Sequence, residues 1–88
     1  MDVTVYGPLR SAIGGKETTL QFSGGTVDDA IDTLVSEFPR AAQYLYGADN
    51  DLRPSVRISV NGDRVESGDQ CPSDASIKIM PAVQGGSR

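Results

Sequence analysis

Residues 26–39 read "TVDDAIDTLVSEFP", and this stretch decides the architecture. Val27, Ala30, Ile31, Leu34, Val35 and Phe38 recur at i, i+3, i+4, i+7, i+8 and i+11. That is one apolar stripe at helical period, broad enough to cover the face of a sheet. Thr26 suits an N-cap, and Asp29 three residues later completes a capping box with Asp in place of Glu. Asp28 and Asp29 fall in the first turn, where the helix dipole favours negative charge. Pro39 disfavours the helical conformation of Phe38, so the spacing predicts a helix over about residues 26–38.

The flanks supply the sheet this helix needs. "DVTVYG" alternates, with Val3 and Val5 on one side and Thr4 and Tyr6 on the other, as in a half-buried strand. Gly7-Pro8 stops it, and "PLRSAIGG" reads as a turn or single helical turn closed by Gly14-Gly15. "KETTLQFS" alternates again and places Thr18, Leu20 and Phe22 together, so Val3, Val5, Leu20 and Phe22 are expected to share an inner face. The short connection makes these two strands an antiparallel pair. Gly24-Gly25 ends the second strand ahead of the helix.

Downstream, "RAAQYLYG" suits a short second helix that packs Leu45 and one tyrosine, and "ADNDLRP" is a polar surface loop. "SVRISVNG" directs Val56, Ile58 and Val60 inward, and Asn61-Gly62 signals a tight hairpin into a brief strand at Arg64, Val65 and Glu66. "SGDQCPSD" reads as loop, and "ASIKIMPAV" as a last strand with Ile77 and Ile79 inward. The fold class is therefore α+β: a mixed sheet of four or five strands with one main amphipathic helix across one face. Residues 1–83 make the domain, and residues 84–88 a projecting tail.

Composition narrows the function. Eighty-eight residues suit one modest core. No apolar run approaches the ~18 residues of a membrane helix, and "MDVTVYGPLR" lacks a secretory pattern, so a soluble cytoplasmic protein is expected. There is no histidine and a single cysteine, Cys71. That removes the usual general base, the Ser-His and Cys-His pairs, disulfide frameworks and Cys-cluster metal sites. Asp49, Asp51 and Asp63 do not follow a calcium-loop spacing. The net charge of −4 repels phosphate backbones and argues against direct nucleic-acid binding.

The chain closes on "PAVQGGSR". Glycine is costly to order, so adjacent glycines at a chain end suit a partner that approaches the backbone closely. Together, "VTVYGPLRSAIGG", "TVDDAIDTLVSEFP", "VRISVNG" and "IKIMPAVQGG" resemble the ubiquitin-like β-grasp sulfur carriers over almost the whole chain. That family includes the small subunit of molybdopterin synthase, the thiamine-pathway sulfur carrier and the small archaeal modifiers. The ending is similar to the family's apolar-Pro-Pro/Ala-Val-x-Gly-Gly.

The resemblance implies a carrier acted upon by others rather than an enzyme. It implies a monomer whose partners are a ubiquitin-activating-type enzyme that uses ATP to adenylate Gly86, and a sulfur-accepting synthase or target proteins. No bound cofactor is implied. Pro81, Ala82, Val83, Gln84 and Gly85 would be recognised in the enzyme's tail channel; Gln84 to Gly86 reach about 10 Å at ~3.3 Å per extended residue. The activated glycine becomes a thiocarboxylate, for sulfur delivery to molybdopterin or tRNA, or an isopeptide on a lysine. The chain departs from the family pattern in that Ser87 and Arg88 follow Gly86. A peptide-bonded Gly86 has no carboxylate to activate, so cleavage between Gly86 and Ser87 by a zinc isopeptidase-like metalloprotease is expected. The alternative is a β-grasp interaction module whose tail is never activated.

Tyr6, Arg57, Lys78 and Met80 fall on the outward sheet face; solvent-side cross-strand pairing accounts for them, and a docking patch is the functional alternative. Cys71 is read as an incidental loop cysteine, with a thioester trap as the other possibility. Lysine occurs only at Lys16 and Lys78, and the Asp-rich, Lys-poor balance suits a halophilic source. The unfolding midpoint in denaturant is then expected to be higher in molar salt than in dilute buffer; equal midpoints would contradict a salt-adapted surface.

Overall fold

The computed structural model describes residues 1–81. The long helix begins where the capping box places it. Thr26 takes an extended N-cap conformation, its hydroxyl accepts from the Asp29 amide at 3.2 Å, and the Asp29 carboxylate accepts from the Thr26 amide at 3.0 Å. Gly25 precedes the box with φ 150°, and a Cβ there would stand 2.6 Å from Asp29 Oδ2. Only glycine therefore lets the capping carboxylate close on the backbone. The helix runs over Val27–Glu37 and ends as Phe38 leaves helical geometry ahead of Pro39.

In chain order the elements are β1 (Asp2–Val5), α1 (Leu9–Ile13), β2 (Glu17–Thr19), β3 (Gly25–Thr26), α2 (Val27–Glu37), a 3-10 turn (Pro39–Ala41), α3 (Ala42–Leu45), β4 (Arg57–Val60), β5 (Asp63–Val65), β6 (Gln70–Cys71) and β7 (Ser76–Met80). Five strands form one mixed sheet in the order β2-β1-β7-β4-β5. β1 and β7 pair in parallel at its centre, with Val3 beside Ile77 and Val5 beside Ile79; the other ladders are antiparallel.

This register puts the apolar set of each strand on one face. Val3, Val5, Ile58, Val60, Ile77 and Ile79 are buried there, in one cluster with Val27, Ala30, Ile31 and Leu34 of α2. Val35 and Phe38 pack at its edge, half-buried. Leu9 and Ala12 of α1, Ala41 and Leu45 from the segment after α2, and Leu20, Val56, Cys71 and Ala75 join the same core. Each buried Val, Ile or Leu contributes roughly 1.5–3 kcal/mol, so the α2 stripe is a principal source of stability.

The sequence expectations hold for the helix, for the short helical turn at Leu9–Ile13 and for the five-stranded mixed sheet. Several details differ. β2 stops at Thr19, although Leu20 is still buried and Phe22 half-buried. Leu20 exchanges backbone bonds with Met1, its amide donating to the Met1 carbonyl at 2.9 Å and its carbonyl accepting from the terminal ammonium at 3.1 Å. Beyond this pair the chain leaves the ladder.

The strand after Asn61-Gly62 is Asp63–Val65, one residue earlier than expected, because a two-residue turn pairs Asp63 directly with Val60. The stretch read as a loop around Cys71 holds β6, which pairs antiparallel with β3 through Gly25–Cys71 and Thr26–Gln70. The same segment caps the helix: Val27 and Asp28 donate their amides to the Asp69 and Ser67 carbonyls, both at 2.9 Å. These are first-turn amides that have no partner inside the helix.

Truncation of the stripe tests this packing. Leu34→Ala is expected to lower unfolding free energy by about 2–5 kcal/mol, and Thr26→Ala by about 1 kcal/mol. Urea titration at fixed salt measures both; a Leu34→Ala loss no larger than that of Thr26→Ala would contradict the assigned core.

Candidate functional site: the tail exit and the open sheet face

The point from which the tail departs is held on two sides. The Tyr6 amide donates to the Ile79 carbonyl at 3.2 Å, extending the parallel ladder to the end of β7. Pro81 is buried, and its ring lies 3.6 Å from where a Cβ on Gly7 would stand. Gly7 has φ 61°, a conformation glycine adopts without strain, and its carbonyl accepts from Arg10 at 3.1 Å to open α1. A sharp turn after β1 thus makes the seat for the last described residue. Ala82, Val83, Gln84, Gly85, Gly86 and Ser87, the remaining tail-recognition and processing positions, lie outside the described residues.

The sheet face opposite α2 carries the second group. Arg57 pairs across from Met80, and the Tyr6–Ile79 bond sets Tyr6 on the other flank of Met80. The next row across the sheet is Arg64, Ser59, Lys78, Thr4 and Glu17. Tyr6, Arg57, Lys78 and Met80 are therefore together on one surface, as their alternation requires. Met80 is 45% exposed, the one exposed large hydrophobic residue among those described. Sequence reading missed three cations beside them. Arg64 shares the row of Lys78, and Arg10 and Lys16 line a shallow cleft with Tyr6 and Lys78. Strand register could have placed Arg64; Arg10 and Lys16 arrive from a helix and the turn after it, whose positions only the tertiary fold supplies.

Cys71 is a correction to the loop reading. It sits in β6 at 1% exposure, with its thiol 3.8 Å from the Met1 sulfur. Burial pushes the thiol pKa up, and the nearby terminal ammonium opposes this only in part. A buried, protonated thiol is a poor nucleophile, so the geometry disfavours the thioester trap. Asp49 and Asp51 belong to a local turn, where the Asp51 amide donates to Asp49 Oδ1 at 3.1 Å, and Asp63 starts β5 elsewhere. Among the described residues no group of three or more His, Cys, Asp or Glu side chains is placed to hold a metal ion. None of their helices is long and apolar enough to cross a membrane.

The loop beside α3 is fastened separately. The Tyr46 hydroxyl donates to Asp32 Oδ1 at 2.6 Å, and burial together with that carboxylate drives the phenol pKa well above its ordinary value. Arg53 donates to the Tyr46 and Gln43 carbonyls at 3.2 and 3.3 Å. These contacts fasten the surface loop to α2 and α3.

A mixed sheet with central parallel strands, one helix laid across it and the chain leaving from the last central strand defines the ubiquitin-like β-grasp class. Within that class the chain belongs to the ThiS family, whose model matches residues 3–86. Small archaeal modifier protein 1 of Haloferax volcanii is 25% identical over 87 residues, covering 98% of this chain and all of that protein. Its crystal structure superposes with a TM-score of 0.84 at 24% identity, covering 98% of each chain. The solution structure of small archaeal modifier protein 1 from Methanosarcina acetivorans gives 0.78 at 24% identity, over 97% of this chain and 94% of that one. The BexX/CysO complex of Amycolatopsis orientalis gives 0.75 at 24% identity, over 97% and 98%.

The buried thiol can be tested directly. Cys71 is expected to resist iodoacetamide in the native protein and to react fully in denaturant. Rapid native alkylation at neutral pH, followed by intact mass, would contradict its burial.

Proposed function

We propose that the chain is a ubiquitin-like protein modifier and sulfur carrier whose working group is the carboxylate of Gly86, exposed by removal of Ser87 and Arg88. The observation that carries this reading is the ThiS family match, which takes in both tail glycines and runs to position 86. Likeness to a protein named as an archaeal modifier supports it further. The firmly seated Pro81 suits the role, because it sets the tail's starting point relative to a partner.

The chemistry asks little of the carrier itself. A partner of the ubiquitin-activating type joins the Gly86 carboxylate to the α-phosphate of ATP, with pyrophosphate leaving. A persulfide sulfur then displaces AMP, and thiol reduction of the resulting acyl disulfide leaves a thiocarboxylate. Attack by a lysine amine displaces AMP instead to give an isopeptide. Glycine presents the least hindered acyl carbon to either nucleophile, and Gly85 and Gly86 thread a narrow channel without side chains. Sulfur delivery to molybdopterin or tRNA, and tagging of lysines, are the two outcomes of one activated tail. A metalloprotease performs the trimming.

A variant ending at Gly86, incubated with ATP and the adenylating enzyme of the same cells, is expected to yield a Gly86 acyl-adenylate detectable by intact mass and by pyrophosphate release. The chain retaining Ser87 and Arg88 is expected to yield none. Failure of the Gly86-ended form with every such enzyme would leave an interaction module with an unactivated tail.

A further inference from the structure

Asn61-Gly62 closes the β4–β5 hairpin and also carries a latent reaction. The chain has two asparagines, Asn50 and Asn61, and only Asn61 is followed by glycine. Gly62 has no side chain to shield its amide nitrogen, and a Cβ there would meet nothing within 4 Å. That nitrogen can close a succinimide ring on the Asn61 carboxamide carbon. The new N–Cγ bond forms, the Cγ–Nδ2 bond breaks, and Nδ2 leaves as ammonia with the Gly62 amide proton. Water then opens the ring. Attack at Cγ gives aspartate; attack at the main-chain carbonyl gives isoaspartate, with the backbone rerouted through Cγ.

The fold opposes ring closure in two ways. Asn61 sits at φ 52° and Gly62 at φ 90°, the two left-handed positions of a type I′ turn. In such a turn ψ of the first residue is about +30°, which swings the next amide nitrogen nearly anti to Cβ and away from the carboxamide. The carboxamide is also tied elsewhere. Its Oδ1 accepts from the Ser76 amide at 2.9 Å, while the Asn61 amide donates to the Ser76 carbonyl at 2.8 Å. The side chain thus stands in for a main-chain carbonyl and adds a rung to the β4–β7 ladder beyond Val60 and Ile77. Ring closure needs the turn to unwind and that rung to break.

From this geometry we infer that Asn61 is a deamidation site gated by the fold. It is preserved while the hairpin is closed and converts to aspartate and isoaspartate when the hairpin opens. Isoaspartate adds a methylene to the main chain, so the two-residue connection no longer sets Asp63 against Val60. A chain that has stayed open is thereby marked and cannot close its hairpin in the same register. Aspartate keeps an Oδ1 acceptor for Ser76, so the structural penalty falls on the isoaspartate product alone. Asn50 is the internal comparison: it also has positive φ, 63°, but the side chain of Asp51 hinders the nitrogen that follows it.

The test incubates the full chain in mildly alkaline buffer over a series of guanidinium chloride concentrations, with samples then cleaved after arginine. The peptide spanning residues 58–64 holds Asn61 as its one asparagine, and its mass gain and chromatographic splitting report both products. Native conversion is expected to be slower than denatured conversion by roughly 10-fold or more, because only the open fraction reacts. The rate is expected to rise along the unfolding curve. Asn61→Asp is expected to keep the unfolding midpoint of the unmodified protein, and the purified isoaspartate form to show a lower one. Equal rates in folded and denatured chains overturn the gating, and no conversion of Asn61 in the denatured chain overturns the site itself. An isoaspartate form with an unchanged midpoint overturns the claim that it blocks closure of the hairpin.

Discussion

The parallel pairing of β1 with β7 is the constraint on which the rest of the structure depends. It places the first and last strands side by side at the sheet centre, with Val3 and Val5 against Ile77 and Ile79. Parallel neighbours cannot be joined by a tight turn, so everything between them must be accommodated elsewhere. The chain uses that interval for the β1–β2 pair, for α2, and for β4 and β5 on the far side. Because the pairing continues to Tyr6 and Ile79, the end of β7 is delivered to the Gly7 turn, where Pro81 is buried.

Two faces of one sheet then take separate duties. The inner face is satisfied by α2, whose stripe supplies the bulk of the apolar cover, while the β3–β6 pair and the Ser67 and Asp69 carbonyls secure the start of that helix. Among the described residues the outer face receives no helix, and its side chains are polar apart from Met80 and the half-exposed Tyr6. Stability resides on one side of the sheet, so the other is free to vary in charge.

How far this was legible beforehand follows from the length scale of each signal. The helix was readable because its eleven residues carry three turns of period and the Thr26–Asp29 capping box marks its start. β4 and β7 were readable from strict alternation, and the hairpin from Asn61-Gly62. β3 and β6 were not, since two-residue strands have no periodicity; their pairing depends on the loop folding back over the helix start. The same gap hid the burial of Cys71, which takes its environment from Met1 at the other end of the sequence. Tyr6, Arg57, Lys78 and Met80 could be set on a common face by alternation alone. Arg64 follows from the register of the β4–β5 hairpin, whereas Arg10 and Lys16 joined the cationic surface only through contacts between distant segments. The tail motif was legible as composition, and its positions beyond Pro81 rest on the sequence and the family match.

Intact-mass analysis of the protein recovered from its native cells tests the central claim most directly. A chain ending at Gly86 is predicted, part of it bearing sulfur in place of one carboxyl oxygen or leaving Gly-Gly remnants on lysines of other proteins. A population that uniformly retains Ser87 and Arg88, with neither modification, would contradict the account.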